Sequence, residues 1–303
     1  MTIALTGATG FVGQAVLDEA HRREEPVRAL TRRAQDAREG VDWVRGTLDD
    51  TGALTEMCNG ADAVLHVAGL TTSTDAAEFE RANVAGTANA IEAMKQAQVK
   101  RLVFVSSLSA REPKLSAYGA SKAVAETLVE GSGLDWTIVR PPGVYGPRDV
   151  DYFEMFRSAK WGIVPIPPRG ASSIIHVSDL ARLLLDLVDA RPALARRQMF
   201  EPDDGREGGW SHRELAQAIG AAVGRKVFAP QLPAAAMRAA SRIDGLVRGD
   251  KARLTEDRVG YMLHPNWVAR SDRRVPPAVW EPRIEGREGL RQTAEWYRAM
   301  GWL

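Results

Sequence analysis

The sequence predicts an α/β fold, a doubly wound parallel sheet with a smaller, mainly helical C-terminal part, and three observations carry that prediction. Short continuous apolar runs alternate with helix-periodic stretches through about residue 140, as in a parallel sheet covered on both faces. The first run, Thr2 to Thr6, empties into Gly7-Ala8-Thr9-Gly10-Phe11-Val12-Gly13 and a helix through His21. Beyond residue 145 the alternation stops, and Pro165, Pro167 and Pro168 mark irregular chain before Ile174-Ile175-His176.

Strand, glycine turn and helix N-terminus together make an anion site, because backbone N–H groups point outward and the helix dipole favours a pyrophosphate. Gly7 and Gly10 permit the tight turn and close backbone approach, and Gly13 lets helix and strand pack closely. Gln14 stands where a Walker A loop needs lysine, which excludes that motif. Residues 27–30 form the second strand, ending in Thr31-Arg32-Arg33. An acid at this strand end binds the ribose 2′-hydroxyl of NAD, whereas arginine accommodates the 2′-phosphate of NADP. No acid is present and Arg32 is well placed, so NADP(H) is the expected cofactor and NAD(H) the alternative.

Residues 41–44 make a third strand, followed by Gly46-Thr47-Leu48-Asp49-Asp50 and a helix through Cys58. Residues 63–67 are a continuous apolar strand ending at Ala68-Gly69, where small side chains let a cofactor approach. Asp75 begins a long helix with Glu78 as its capping-box partner, and Asn83 lies inside it. Residues 102–105 end in Ser106-Ser107, and residues 136–139 in Arg140-Pro141-Pro142-Gly143. The glycine loop, Arg32, Gly69, Ser107 and Pro141 thus all fall at strand C-termini, where open α/β sheets bind ligands.

A helix over 178–189 returns to the sheet, and helices are expected over 211–223, 234–247 and 288–300. The expected partition is a dinucleotide-binding (Rossmann) domain of residues 1–145 plus about 172–192, and a substrate-binding domain of about 146–171 plus 193–303. Six of the eight tryptophans fall in the second half, where they are expected to form core.

Composition excludes several classes. Lys+Arg at 40 against Asp+Glu at 39 leaves a net charge of +1, and no basic surplus points to nucleic acid or anionic membrane. Cys58 is the only cysteine, so there is no disulfide framework and no cysteine-based metal site. The five histidines include no H-E-x-x-H pair, no metal is expected, and no G-x-S-x-G elbow offers a hydrolase serine. His176, at a strand end, reads as a packed structural residue. No apolar run approaches a bilayer span, and no basic-then-apolar leader precedes the first strand. The expectation is a soluble cytoplasmic protein acting on a small molecule.

Tyr118-Gly119-Ala120-Ser121-Lys122 places a phenol and an amine four residues apart, on one face of a helix. Leu115, Ala123, Val124, Ala125, Leu128 and Val129 supply its apolar stripe, and Gly131 and Gly133 its stop. A cation about 4 Å from a phenol, at an effective dielectric near 20, favours the phenolate by roughly 4 kcal/mol. That brings a tyrosine into range for proton transfer near neutral pH.

In order along the chain, TGATGFVG (6–13), HVAG (66–69), NVAGT (83–87), VFVSS (103–107), YGASK (118–122), RPPGVYGP (140–147) and HVSDL (176–180) resemble the motifs of one family. It is the extended short-chain dehydrogenases/reductases, or NAD-dependent epimerase/dehydratase family. EGLRQTAEWYRAMGWL at the C-terminus is similar to that family's closing helix, so the resemblance spans essentially the whole chain. It implies Tyr118 as general acid/base, Lys122 as its pKa modulator and ribose ligand, and Ser107 as the hydroxyl orienting the substrate oxygen. Ser107 is chosen over Ser106 by aligning VKRLVFVSS with the family's fifth strand.

Cofactor contacts are implied for Gly7, Thr9, Gly10, Phe11, Val12 and Gly13 in the loop, then for Arg32 and Arg33, Thr47 and Leu48, and Val67, Ala68 and Gly69. Asn83, Ser106, Pro141 and Val144 complete the implied set, together with Tyr118 and Lys122. Thr47 stands where the family commonly carries aspartate, which leaves the Leu48 backbone as the adenine contact. Gly143 and Ser172 stand where nucleotide-sugar epimerases of the family carry an asparagine and a phosphate-binding arginine. A pyrophosphate without that arginine loses charge-assisted contacts worth about 1.5–3 kcal/mol each.

The chain is therefore closer to the carbonyl-reductase branch, and the resemblance implies an NADP(H)-dependent oxidoreductase interconverting a carbonyl and a secondary alcohol on a fairly apolar substrate. The alternatives are an NAD-dependent nucleotide-sugar epimerase or dehydratase, and a non-catalytic dinucleotide-binding scaffold or sensor. A homodimer through the helices of 75–98 and 115–130 is common in the family.

Overall fold

In the computed structural model, which describes residues 1–249, 252 and 254–303, the first half is a regular alternation. Ile3–Thr6 (β1) leads through the glycine loop to Phe11–Arg22 (α1), then to Val27–Thr31 (β2), Val41–Arg45 (β3), Thr51–Cys58 (α2) and Ala63–His66 (β4). A helical run follows: Ala76–Phe79 (α3), one π-helical stretch at Glu80–Ala85, and Gly86–Gln96 (α4). Arg101–Val105 (β5), Ala117–Glu130 (α5) and Asp135–Val139 (β6) complete it.

The second half holds Gly143–Tyr145 (β7), Asp151–Lys160 (α6), Ala171–Ser172 (β8), Ile174–His176 (β9), Val177–Asp189 (α7), Pro192–Ala195 (α8) and Gln198–Phe200 (β10). After these come Trp210–Ser211 (β11), His212–Ala222 (α9), Ala234–Arg248 (α10), Glu256–Met262 (α11), Asn266–Trp267 (β12) and Gly286–Ala299 (α12).

Seven strands form one sheet in the order β10-β6-β5-β4-β1-β2-β3, and every neighbouring pair is parallel. Every residue of β1, β4 and β5 is buried, which is why these strands read as continuous apolar runs rather than alternating ones. Strand order reverses between β1 and β4, so their carboxyl ends flank the crevice of a doubly wound fold. Thr6 pairs with His66 at that point.

The chain divides into two compact units. The first comprises Met1–Arg140, Leu180–Phe200 and Val275–Trp280; the second comprises Pro141–Asp179, Glu201–Arg274 and Glu281–Leu303. In the first, Val64, Leu102, Phe104 and Ile138 of the sheet pack with Met57, Met94 and Val129 of the helices. Cys58 is fully buried there, and burial pushes its thiol up to about 12, leaving it unreactive. The second unit is built on Tyr145, Phe156, Trp210 and Tyr297, all with no exposed surface.

The structure corrects several local expectations. Asp75 caps α3 by accepting from the Ala77 N–H at 2.9 Å, but Glu78 takes the Ser73 hydroxyl at 2.6 Å, so no capping box forms. Val124 faces outward at 46% exposure, whereas the buried face of α5 includes Lys122 and Glu126. Glu126 forms a two-pronged ion pair with the partly buried Arg140, at 2.8 and 2.6 Å, which satisfies the buried carboxylate. The tryptophans do not act as one core: Trp210 is fully buried, Trp280 lies in the first unit, and Trp161 is 84% exposed.

Candidate active site

The glycine loop is shaped by contacts that admit no side chain. Gly7 has φ +76°, and a Cβ there would lie 2.6 Å from the Ala68 nitrogen. A Cβ on Gly13 would overlap the Gly7 carbonyl oxygen, so α1 approaches the loop only because residue 13 is glycine. Gly10 is the N-cap of α1 and supplies no side-chain cap, and α1 carries no acid in its first turn. The amides opening α1 at Phe11 and Val12 thus keep both their donors and the helix dipole for an anion. Thr9 and Gly10 are exposed at the loop's rim. This cradle fits a dinucleotide pyrophosphate.

At the switch point a directed chain of hydrogen bonds joins the loop strand to the helical run. The Thr87 hydroxyl donates to the Asn83 carbonyl at 2.6 Å, so its oxygen must accept from His66 Nε2–H at 3.1 Å. His66 Nδ1 is then bare and accepts the Thr6 hydroxyl at 2.7 Å, while Thr6 Oγ1 accepts the Ala68 N–H at 3.2 Å. Burial, with the nearby Lys122 ammonium, pushes His66 down to about 3 and keeps it neutral. Asn83 continues the chain: its Oδ1 accepts from Leu70 N–H at 2.7 Å, and its Nδ2 donates to Leu70 C=O at 3.0 Å and to Ser121 Oγ at 2.9 Å. The Ser121 hydroxyl in turn donates to the Tyr118 carbonyl at 2.8 Å.

Around β5 and α5 the remaining groups converge. Ser116 caps α5 through the Gly119 N–H at 2.9 Å and starts the helix one residue before Tyr118's own turn. Tyr118 is half-buried, its ring 5.9 Å from that of Phe79. Lys122 is only 4% exposed and donates to the Val105 carbonyl at 2.8 Å, with its Nζ 4.5 Å from the Phe104 ring centre. Burial pulls its ammonium down to about 8, against the opposing pull of Glu126. Gly69 faces this group, since a Cβ there would lie 3.6 Å from Lys122 Nζ and 3.1 Å from Asn83 Oδ1.

The two serines differ. Ser107 Oγ accepts from Ser109 N–H at 3.1 Å and donates to Ser109 Oγ at 3.2 Å, and its residue is half-buried. Ser106 is 4% exposed and its hydroxyl has no hydrogen-bond partner among the described residues, an orphan that a bound ligand at the β5 terminus would satisfy.

Arg32 and Arg33 follow β2 as exposed side chains, with the Thr31 hydroxyl donating to Arg33 C=O at 2.8 Å to fix the turn. Thr47 is exposed; the Leu48 carbonyl is taken by Asn89 at 2.8 Å, which leaves its N–H side for a ligand. Val67 and Ala68 are half-buried just past β4. Pro141 and Val144 belong to the second unit, Val144 inside β7. There a Cβ on Gly143 would overlap Tyr152 Oη, so the tyrosine fills the place an asparagine side chain would need. Among the described residues no cluster could hold a metal, and no helix is long and apolar enough to cross a membrane.

Sequence reasoning missed the connecting groups: Thr6, His66, Thr87 and Ser121 in the chain above, and Arg38. Arg38 reaches Gln14 Oε1 at 3.2 Å and Asp18 at 2.7 Å, while Gln14 Nε2 donates to the Ala8 carbonyl of the loop at 3.0 Å. Two motifs, HVAG and NVAGT, did carry His66 and Thr87, but only their pairing across 21 residues shows what they do.

The comparisons agree with this geometry. A family model described as NAD(P)H-binding matches residues 7–190. A ceramide reductase of Caulobacter vibrioides (strain NA1000 / CB15N) is 32% identical, covering 99% of this chain and 96% of its own. A 4-hydroxy-2-methyl-3-oxo-4-farnesyl-3,4-dihydroquinoline-1-oxide ketoreductase of Stigmatella aurantiaca is 34% identical over 50% of this chain and 53% of its own. Among solved structures, MoeE5 in complex with UDP-glucose and NAD superposes with a TM-score of 0.76 at 23% identity, over 99% of both chains. The chain belongs to the NAD(P)H-binding extended short-chain dehydrogenases/reductases, a family of NAD(P)-dependent oxidoreductases and epimerases.

Proposed function

We propose that this chain is an NADP(H)-dependent reductase that interconverts a carbonyl and a secondary alcohol on a fairly apolar substrate. The observation that carries the reading is the single hydrogen-bonded assembly at the carboxyl ends of β4 and β5, in which Asn83 and Ser121 tie Tyr118's turn to Leu70 in the loop that follows β4. When bound, the nicotinamide supplies or accepts the hydride. Tyr118 exchanges the proton at the substrate oxygen, and Ser107 holds that oxygen by a hydrogen bond. Lys122, a buried cation one turn along α5, favours the phenolate form of Tyr118 and offers its remaining N–H bonds to the cofactor ribose. Arg32 meets the 2′-phosphate.

Two features support a reductase over a sugar-nucleotide enzyme. Tyr152 occupies the space of the epimerase asparagine, and two relatives are named as reductases of a ceramide and of a farnesylated quinoline oxide. An apolar-tailed ketone is therefore the substrate class. The test is NADPH consumption with long-chain ketones, in wild type and Tyr118→Phe. The variant should retain NADPH binding and lose at least about a thousandfold in turnover, within the range of acid–base catalysis plus oxygen stabilisation. Unchanged turnover in the variant would refute the mechanism, and epimerisation of UDP-glucose with copurified NAD would refute the substrate class.

A further inference from the structure

Three large apolar side chains stand together on the surface of the second unit. Trp161 is 84% exposed, Ile163 50% and Phe228 67%. Residues 163 and 228 are bridge partners in a short parallel pairing, with Phe228 N–H donating to Gly162 C=O at 2.8 Å and Val164 N–H to Phe228 C=O at 2.9 Å. Partners in such a pairing send their side chains to the same side of the strands, so Ile163 and Phe228 form one surface beside Trp161. Clustered exposure of this kind marks a contact surface rather than the scattered exposure normal for single residues.

The segments that carry this platform are rich in basic residues, and the acids at their ends are paired, Glu154 with Arg157 and Asp244 of α10 with Arg248. Residues 155–178 contain Arg157, Lys160 and Arg169 and no acid; residues 215–243 contain Arg225, Lys226, Arg238 and Arg242 and no acid. The pairing of 163 with 228 and of 166 with 231 lays these two segments side by side. Lys160, Arg225 and Lys226 are exposed and enter no ion pair among the described residues. The second segment runs directly into α10, where Ile243, Leu246 and Val247 are 61%, 87% and 77% exposed, while Met237 and Ser241 face inward. Their spacing of three and four places them on one outward face.

We propose that the second unit docks on an anionic phospholipid membrane, with Trp161, Ile163 and Phe228 entering the headgroup boundary and α10 lying on it. Tryptophan and phenylalanine with a basic fringe match that boundary, because the rings sit at headgroup depth while lysine and arginine reach phosphates. The unpaired basic side chains Lys160, Arg225 and Lys226 also disfavour a second copy of this surface, which would bring like charges together. The inference stands on this surface alone, and its test needs no substrate, so it can fail or succeed independently of the reductase reading.

The experiment is flotation of the full chain with vesicles of phosphatidylcholine, alone or mixed with phosphatidylglycerol. Binding is expected to the mixed vesicles, to weaken with added salt, and to blue-shift tryptophan emission. Trp161→Ser with Phe228→Ser should lower the bound fraction about tenfold or more, and Lys160→Glu with Lys226→Glu should abolish the preference for phosphatidylglycerol. Leu246→Ser with Val247→Ser reads the share of α10. NADPH binding and the thermal midpoint, both expected unchanged, confirm that each variant is folded. No flotation of the wild type, or equal flotation of the Trp161/Phe228 variant, overturns the proposal. So does a concentration-dependent dimer that these substitutions dissolve in the absence of vesicle binding.

Discussion

Replacing Thr87 by valine tests the hydrogen-bonded chain that ties β1 and β4 to α5. The side chain is 1% exposed, and valine keeps its shape, so no cavity opens. What disappears are two hydrogen bonds, to the Asn83 carbonyl and from His66 Nε2–H. A buried group left without a partner costs about 1–3 kcal/mol. The carbonyl has a second lone pair and tolerates the loss better than the N–H, so about 2–4 kcal/mol in all is expected. Thr87→Ser keeps both bonds and removes one methyl, a cost of about 1 kcal/mol.

Guanidinium unfolding at pH 7 should therefore rank wild type above serine and serine above valine, with unchanged slopes. Turnover should follow the same order with little change in KM, because Asn83 also positions Leu70 and Ser121. Valine as stable and as active as serine would show that the hydroxyl carries no such role.

Other perturbations follow from single contacts. Arg32→Asp should weaken NADPH binding by tenfold or more, at about 1.4 kcal/mol per tenfold, and leave NADH binding nearly unchanged; equal losses in a titration would remove the phosphate role. Gly143→Ala should destabilise by about 1–3 kcal/mol through overpacking against Tyr152 Oη, and Tyr152→Phe in the same chain should recover part of that loss; a purely additive pair would rule the contact out. Asp149 is 3% exposed, and burial raises its carboxyl to about 7 although it accepts the N–H groups of Asp151 and Tyr152. Between about pH 4 and 7 the folded protein then holds a proton the unfolded chain has released, so this group's contribution falls as pH rises, by up to about 1.4 kcal/mol per unit. Asp149→Asn should flatten the stability profile over that window, and parallel profiles would show that the carboxyl is ionised throughout.

How much of this was legible in the sequence depended on how far apart the deciding partners lie. The strands, the glycine loop and the Tyr118/Lys122 turn are local patterns, and they were readable because apolar period and glycine position are themselves local. The π-helical stretch at Glu80–Ala85 was not, since its residues suit an ordinary helix. Its register is tied to Asn83 reaching both Leu70 and Ser121, 13 and 38 residues away. Val124 and Lys122 show the same limit inside one helix: both fall near the apolar stripe, yet the amine is buried because the Val105 carbonyl receives it, and the valine is left outside.

Averages conceal even more. A net charge of +1 excludes a basic protein but says nothing of two acid-free segments that become neighbours only through the pairing of 163–166 with 228–231. A tryptophan count for the second half likewise could not separate Trp210, sealed in a core, from Trp161, held out beside lysine. Short-range order in this chain is written in period and composition, whereas the sign and polarity of a surface are set by which distant segments meet. The exposed Trp161 platform is thus a feature of the fold that no count of residues could have predicted.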